Sequence, residues 1–293
     1  MIRKLRYLLH LFIFLIKVRP SKRHWTIVAY GSSGDVFITC SLVRSFKKIN
    51  GSDVNVVIPP HMVPIADFFS ESINKVIPYP LKWSPINPLI QKYSSITRKV
   101  IYAHPDGNYD HRLFPSLLGY KKLSLMDVCK ITLNLHPTVE EDIPYIDKKY
   151  KRSARTRFDD LCLSENKTVL VAPFAQTSCP LPDGFWNDLI LALKKFGFEV
   201  VVNSKEPFYG HKTVFLEWGE MIEFADICGY FVSLRSGLCD ILSISEAKKI
   251  VIYPDINFLE KFGFSSFWNN SKFEELVFSE NTISEILQII KNG

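Results

Sequence analysis

The chain has 293 residues, room for two domains of ordinary size. Hydrophobic residues make up 47% and charged residues 23%, with no low-complexity tract, which excludes a disordered chain. The net charge of +6 sits mainly in two clusters, Arg3 to Arg23 and Lys148 to Arg157, and the near balance elsewhere argues against a nucleic-acid groove.

Residues 5–16 form an apolar run with basic flanks: Arg3, Lys4 and Arg6 before or within it, then Lys17, Arg19, Lys22 and Arg23. It is short of the roughly 20 apolar residues that a membrane span needs. Val18-Arg19-Pro20-Ser21-Lys22 is also a poor cleavage site for a signal peptide. An interfacial helix fits better, with an apolar body and basic ends drawn to anionic lipid. Residues 1–24 are therefore predicted to be a basic, hydrophobic helix on the membrane surface, the alternative being a helix packed on the protein's own core.

Trp25-Thr26-Ile27-Val28-Ala29-Tyr30 reads as a strand running into Gly31-Ser32-Ser33-Gly34-Asp35. A helix follows through Val36, Leu42, Val43 and Phe46 to Lys47-Lys48, then a turn at Asn50-Gly51 and a strand at Val54–Ile58. Strand, loop, helix, strand is the order of a βαβ unit with a parallel sheet. Further strands are predicted at Lys75–Tyr79 and Lys99–Ala103, and a helix over 122–135. Segment 140–166 is charged and has no strong strand, so the boundary falls within it, giving domains of 25–160 and 161–293.

A second βαβ pattern opens at Thr168–Pro173, with a helix at about Gly184–Phe196 and a strand at Phe198–Val202. A short strand at Val214–Leu216 and a helix near Glu220–Asp226 come next. The strand Tyr230–Leu234 then enters Arg235-Ser236-Gly237, with a helix to about Ala247, a strand at Lys249–Tyr253 and a last helix near Ile283–Ile290. Six cysteines show no CxxC pair or zinc spacing, so a reducing compartment and buried thiols are expected.

In open α/β sheets ligands bind at the carboxyl ends of strands, which directs attention to the polar loops there. The Gly31–Asp35 loop places a carboxylate at such an edge, where it can take a proton from a hydroxyl. On the loop alone, helix capping by Asp35 has the stronger claim. Ser33 and Gly34 line the same turn. The loop is neither GxGxxG nor a P-loop. In the second half, Arg235, Ser236, Gly237, Leu238 and Asp240 begin a helix whose amides, with the Ser236 hydroxyl and the Arg235 guanidinium, suit a diphosphate. An exposed arginine beside an ordinary cap is the alternative. Thr177, Ser178 and Asn203 add polar groups on that edge. His104 and His111 have no metal spacing and are placed on an acceptor pocket; no metal site is expected.

These loops resemble those of the bacterial heptosyltransferases of lipopolysaccharide synthesis. Ser32-Ser33-Gly34-Asp35-Val36 is similar to that family's Ser-Ser-x-Gly-Asp-Val loop, one residue shorter before Gly-Asp. Its Asp is the proposed base, which gives Asp35 that role. Ser236-Gly237-Leu238 matches the centre of the family's donor motif Asp-[Ser/Thr]-Gly-Leu-x-His, with Arg235 in place of Asp and Asp240 in place of His. Thr177-Ser178 looks like the family's hydroxyl pair. Its lysine just before a Trp is missing, because Phe185 precedes Trp186.

The resemblance implies a GT-B fold, two Rossmann-like domains facing across a cleft, and a metal-independent enzyme without a cofactor. It implies a nucleotide-sugar donor in the second domain and a saccharide or glycolipid acceptor. The place is the inner face of the cytoplasmic membrane, in surface polysaccharide or lipopolysaccharide synthesis. The departures leave the sugar open. A nucleotide-sugar epimerase of the same fold, or a non-catalytic relative that binds glycan or a partner, are the alternatives.

Overall fold

The computed structural model describes residues 2–21, 23–29, 31–80, 99–103, 123–176, 178–264 and 273–292, and for 2–8 and 10 the backbone alone. The chain divides into two compact units, Met1–Tyr145 and Ile146–Gly293.

The first unit contains α1 (Ile2–Val18), β1 (Trp25–Val28), α2 (Ser33–Ser41), α3 (Val43–Asn50) and β2 (Val54–Ile58). It continues with α4 (Val63–Asp67), β3 (Lys75–Pro78), β4 (Val100–Tyr102) and α5 (Leu125–Thr132). The strands form a parallel sheet in the order β3-β2-β1-β4. The single helix expected over 36–48 is two helices that meet at Leu42. Gly51 ends the second with φ +58°, a left-handed conformation that costs glycine little, and its N–H closes on the Lys47 carbonyl. One face of α1 does pack on the core: Leu11, Phe14 and Val18 are buried with Val28, Val57 and Ile77, and Phe14 meets the Tyr79 ring edge-on at 5.3 Å.

The second unit contains α6 (Lys148–Asp160), β5 (Thr168–Ala172), α7 (Phe185–Lys195), β6 (Glu199–Asn203), β7 (Thr213–Val214) and α8 (Trp218–Cys228). Then come β8 (Gly229–Leu234), α9 (Gly237–Ile241), β9 (Lys248–Tyr253), α10 (Ile256–Phe262), β10 (Phe273–Val277) and α11 (Thr282–Lys291). All strand pairs are parallel, in the order β10-β9-β8-β5-β6-β7. β5 and β8 are apolar runs, buried along most of their length, as strands covered on both faces must be.

Numbered within its own unit, the second sheet runs 3-2-1-4-5-6, the order of doubly wound dinucleotide folds. The first runs 3-2-1-4. In each, the chain direction across the sheet reverses between the first strand and its neighbour: β1 and β4, then β5 and β8.

Four features depart from the sequence expectations. The unit division lies earlier than 160/161, because α6 packs on α8. Its buried stripe, Tyr150, Ala154 and Phe158, is only three residues on an otherwise charged helix, and Phe158 meets Phe224 at 5.5 Å. The helix expected to reach Ala247 stops at Ile241 and tightens into a 3-10 turn at Leu242–Ile244, where the Ser243 hydroxyl bonds back to the Asp240 carbonyl. The helix α10, capped by Asp255 accepting from the Phe258 N–H, and the strand β10 were not expected.

Candidate functional site

At the reversal point of the first sheet, β1 leads into Gly31 and the start of α2. Asp35 is the third residue of that helix and half-buried. Its Oδ2 accepts from the Ser32 N–H at 2.6 Å and the Ser32 hydroxyl at 2.8 Å, the reach-back contact of a capping box. Among the described residues its Oδ1 accepts no hydrogen bond. Gly31 has φ +126°, and a Cβ there would lie 2.4 Å from Asp35 Oδ2. The glycine therefore both makes the turn and leaves the carboxylate its place. Ser33 opens the helix beside Asp35, and Gly34 is buried in its first turn.

At the reversal point of the second sheet, β8 ends in the Arg235 loop. Arg235, expected from the sequence as a phosphate ligand with an exposed arginine as the alternative, is not exposed. Its side chain is buried, 4% exposed, and among the described residues makes four hydrogen bonds inside the unit. Two form a bidentate pair with Asp240, Nη2 to Oδ1 at 2.9 Å and Nη1 to Oδ2 at 3.0 Å. The others reach the Phe262 carbonyl at 2.9 Å and the Ser236 carbonyl at 2.6 Å. The guanidinium also lies 4.4 Å from the centroid of the Phe264 ring. Burial is the largest single influence and works against its charge, but the groups that face it, Asp240 first among them and then Tyr253 and Cys239, together outweigh burial and raise the guanidinium pKa. Asp240 is committed to the same pair. Together they fix the Ser236–Gly237 turn from behind.

Ser236 is extended and half-exposed at the N-cap position of α9, where its side chain makes no capping bond among the described residues; Gly237 is half-exposed and Leu238 buried. The first amides of a helix have no partner within it, so this turn offers donors at its open side. Behind the loop, the Tyr253 hydroxyl donates to Glu275 at 2.6 Å, and the Glu275 carboxylate also accepts from the Phe264 N–H at 2.5 Å. Burial pushes the Tyr253 pKa up. This support was missed in the sequence because β10, which carries Glu275, was missed.

Ser178 follows β5 and Asn203 ends β6. Both present a buried oxygen, Ser178 Oγ and Asn203 Oδ1, with no hydrogen-bond partner among the described residues. Such a group costs about 1–3 kcal/mol unless something pairs with it, so each calls for a ligand or water. Thr177, His104 and His111 lie outside the described residues. Phe174 stands exposed just beyond β5 with its ring edge-on to Phe208 at 5.6 Å. Among the described residues no group of three His, Cys, Asp or Glu could hold a metal ion.

No family model matches the sequence, and no curated protein matches it. Solved structures do match. The Escherichia coli ADP-heptose lipopolysaccharide heptosyltransferase II aligns over 92% of this chain and 98% of its own, with a TM-score of 0.65 and 12% identity. A family 9 glycosyl transferase from Veillonella parvula aligns over 92% of both chains, with a TM-score of 0.59 and 12% identity. An Escherichia coli heptosyltransferase solved with ADP-2-deoxy-2-fluoro heptose covers 92% of this chain and 99% of its own, at 0.51 and 14%. Two doubly wound units with polar loops at their reversal points are thus the fold of the GT-B glycosyltransferases. This chain shares that fold with the heptosyltransferase structures.

Proposed function

We propose that this protein transfers a sugar from a nucleotide-sugar donor to a saccharide acceptor in the synthesis of a bacterial surface polysaccharide or lipopolysaccharide. One observation carries the reading: polar loops lie at the reversal point of both sheets, and the second unit leaves Ser178 Oγ and Asn203 Oδ1 buried without partners among the described residues. A nucleotide sugar supplies the hydroxyls and phosphoryl oxygens that such groups and the amides of Gly237 and Leu238 can bind.

In the proposed reaction Asp35 takes the proton of an acceptor hydroxyl through the oxygen that its cap leaves free. The acceptor oxygen bonds to the anomeric carbon, and the bond from that carbon to the donor phosphate oxygen breaks. The nucleoside diphosphate leaves with the electron pair. Its charge is stabilised by the Ser236 hydroxyl and the helix-start amides. Arg235 and Asp240 serve by holding those groups in place. No metal enters this scheme, in keeping with the absence of a DxD motif from the sequence. The acceptor is a glycan precursor at the inner face of the cytoplasmic membrane, with residues 1–23 as the contact.

Calorimetric titration of the purified protein against a panel of nucleotide sugars tests the reading, with EDTA present throughout. One donor should bind, and its nucleoside diphosphate should compete. Binding of a glycan with no nucleotide bound at all would return the protein to a non-catalytic role.

A further inference from the structure

The helix α1 has two apolar faces, and only one is used by the fold. Leu11, Phe14 and Val18 recur at helical steps and are buried in the core of the first unit. Leu9, Phe12 and Ile16 recur at the same steps but stand 57%, 61% and 50% exposed. At 3.6 residues per turn the two sets lie roughly 160° apart around the axis. A helix that served only to cover a sheet would carry polar residues on its outer face. No helix among the described residues is long and apolar enough to cross a membrane.

Charge identifies what the outer face meets. Lys17, Arg19 and Arg23 are exposed at the end of the helix and just beyond it, and none of them forms an ion pair among the described residues. No Asp or Glu precedes Asp35 in the sequence, while seven Lys and Arg do. An apolar stripe beside unopposed cations is complementary to an anionic bilayer surface, where acyl chains lie just beneath negative headgroups.

We propose that Leu9, Phe12 and Ile16, with Lys17, Arg19 and Arg23, seat the first unit on an anionic membrane surface while the opposite face of α1 stays in the core. The inference rests on the proposed membrane placement, but it does not depend on sugar transfer. Docking in this way requires no unfolding of α1. It also anchors the sheet whose first strand leads to Asp35.

The test is co-sedimentation of the full chain with vesicles of phosphatidylcholine alone and of phosphatidylcholine mixed with phosphatidylglycerol. The protein should pellet with the mixed vesicles, and less so as salt is raised. The combined change Leu9→Ser, Phe12→Ser and Ile16→Ser should lower pelleting by on the order of tenfold, since it removes the apolar area that drives insertion. Its melting temperature should stay that of the wild type, because the three side chains lie outside the core. Lys17→Glu with Arg19→Glu leaves the stripe intact and should weaken binding to the mixed vesicles alone. A wild type that pellets with neither vesicle, or a serine variant that pellets as well as the wild type, overturns the proposal. So does a serine variant that loses self-association in ultracentrifugation while vesicle binding holds, because the stripe would then join two copies. Normal vesicle binding in a protein that binds no nucleotide sugar would uphold the docking face and defeat only the transferase reading.

Discussion

Asp35 combines a structural and a proposed chemical role, and the two are separable because its carboxylate oxygens are used differently. Oδ2 accepts from Ser32, while Oδ1 accepts nothing among the described residues. Asp35→Asn keeps an oxygen for the cap and loses the basic one. Turnover should fall ~10²–10⁴-fold with donor affinity unchanged. Turnover near that of the wild type would leave Asp35 a cap alone. Gly31→Ala reaches the same carboxylate from behind, since its Cβ would lie 2.4 Å from Oδ2. It should therefore lose both activity and stability, the latter measurable by denaturant unfolding.

Arg235 answers to a different balance. Removing one partner of a buried ion pair leaves the other charge uncompensated, so Arg235→Ala should cost ~3–5 kcal/mol in unfolding free energy. Replacing Arg235 and Asp240 together by apolar residues of similar volume should restore much of that. A loss below about 1 kcal/mol for the single change would show that the pair is loosely held.

At the scale of elements, the helix pair α6 and α8 decides where the second unit begins. Gly219, in the first turn of α8, has no room for a side chain: a Cβ would fall 2.4 Å from the Tyr150 ring. Gly219→Ala must push Tyr150 off its seat. It should destabilise the unit by ~1–3 kcal/mol, the usual cost of overpacking, despite the better helix propensity of alanine. Chemical denaturation would settle this, and an unchanged or raised midpoint would mean that the helices part freely. Tyr150→Leu in the same background should recover part of the loss.

The same elements show what was legible beforehand. Strands β1, β2, β5, β6, β8 and β9 were visible because parallel strands buried on both faces read as short runs dominated by apolar, mostly β-branched or aromatic residues. The polar loops at their ends were visible for the same reason, as abrupt changes of composition. The helix α6 was hidden by its charge, and β10 by a sequence, Phe-Glu-Glu-Leu-Val, with two acids in five residues. One of these, Glu275, is spent on the Tyr253 hydroxyl and the Phe264 N–H, a use that no local pattern reveals. The Arg235–Asp240 pair had a signal that went unused: both positions depart from the heptosyltransferase motif at once, and to opposite charges. A double departure of that kind suggests residues that compensate each other rather than two separate ligand contacts.

At the scale of the whole molecule, each unit has its own core, so the stability of the second unit can be probed through a titrating group in its interior. Glu220 is that group. Its carboxylate is buried between α6 and α8 and accepts from the Ser153 hydroxyl, from the Glu217 N–H at 2.9 Å and from Arg157 Nε at 3.3 Å. Burial alone would raise its pKa and is the largest single influence. The hydrogen bonds from Ser153 and Glu217 and the charge of Arg157 together outweigh it, so the pKa is held below the ordinary 4.5. A carboxylate with a lower pKa in the folded than in the unfolded state binds fewer protons when folded. Its contribution is therefore complete above pH 4.5 and is lost as the pH falls through the lowered folded value. Melting temperatures measured from pH 7 downward should hold steady and then drop on the acid side. In Glu220→Gln the whole curve should start lower, because the bond to Arg157 loses its charge, and its acid limb should be flatter. An acid limb as steep in Glu220→Gln as in the wild type would assign the acid sensitivity to other carboxylates and leave the α6–α8 contact to its packing alone.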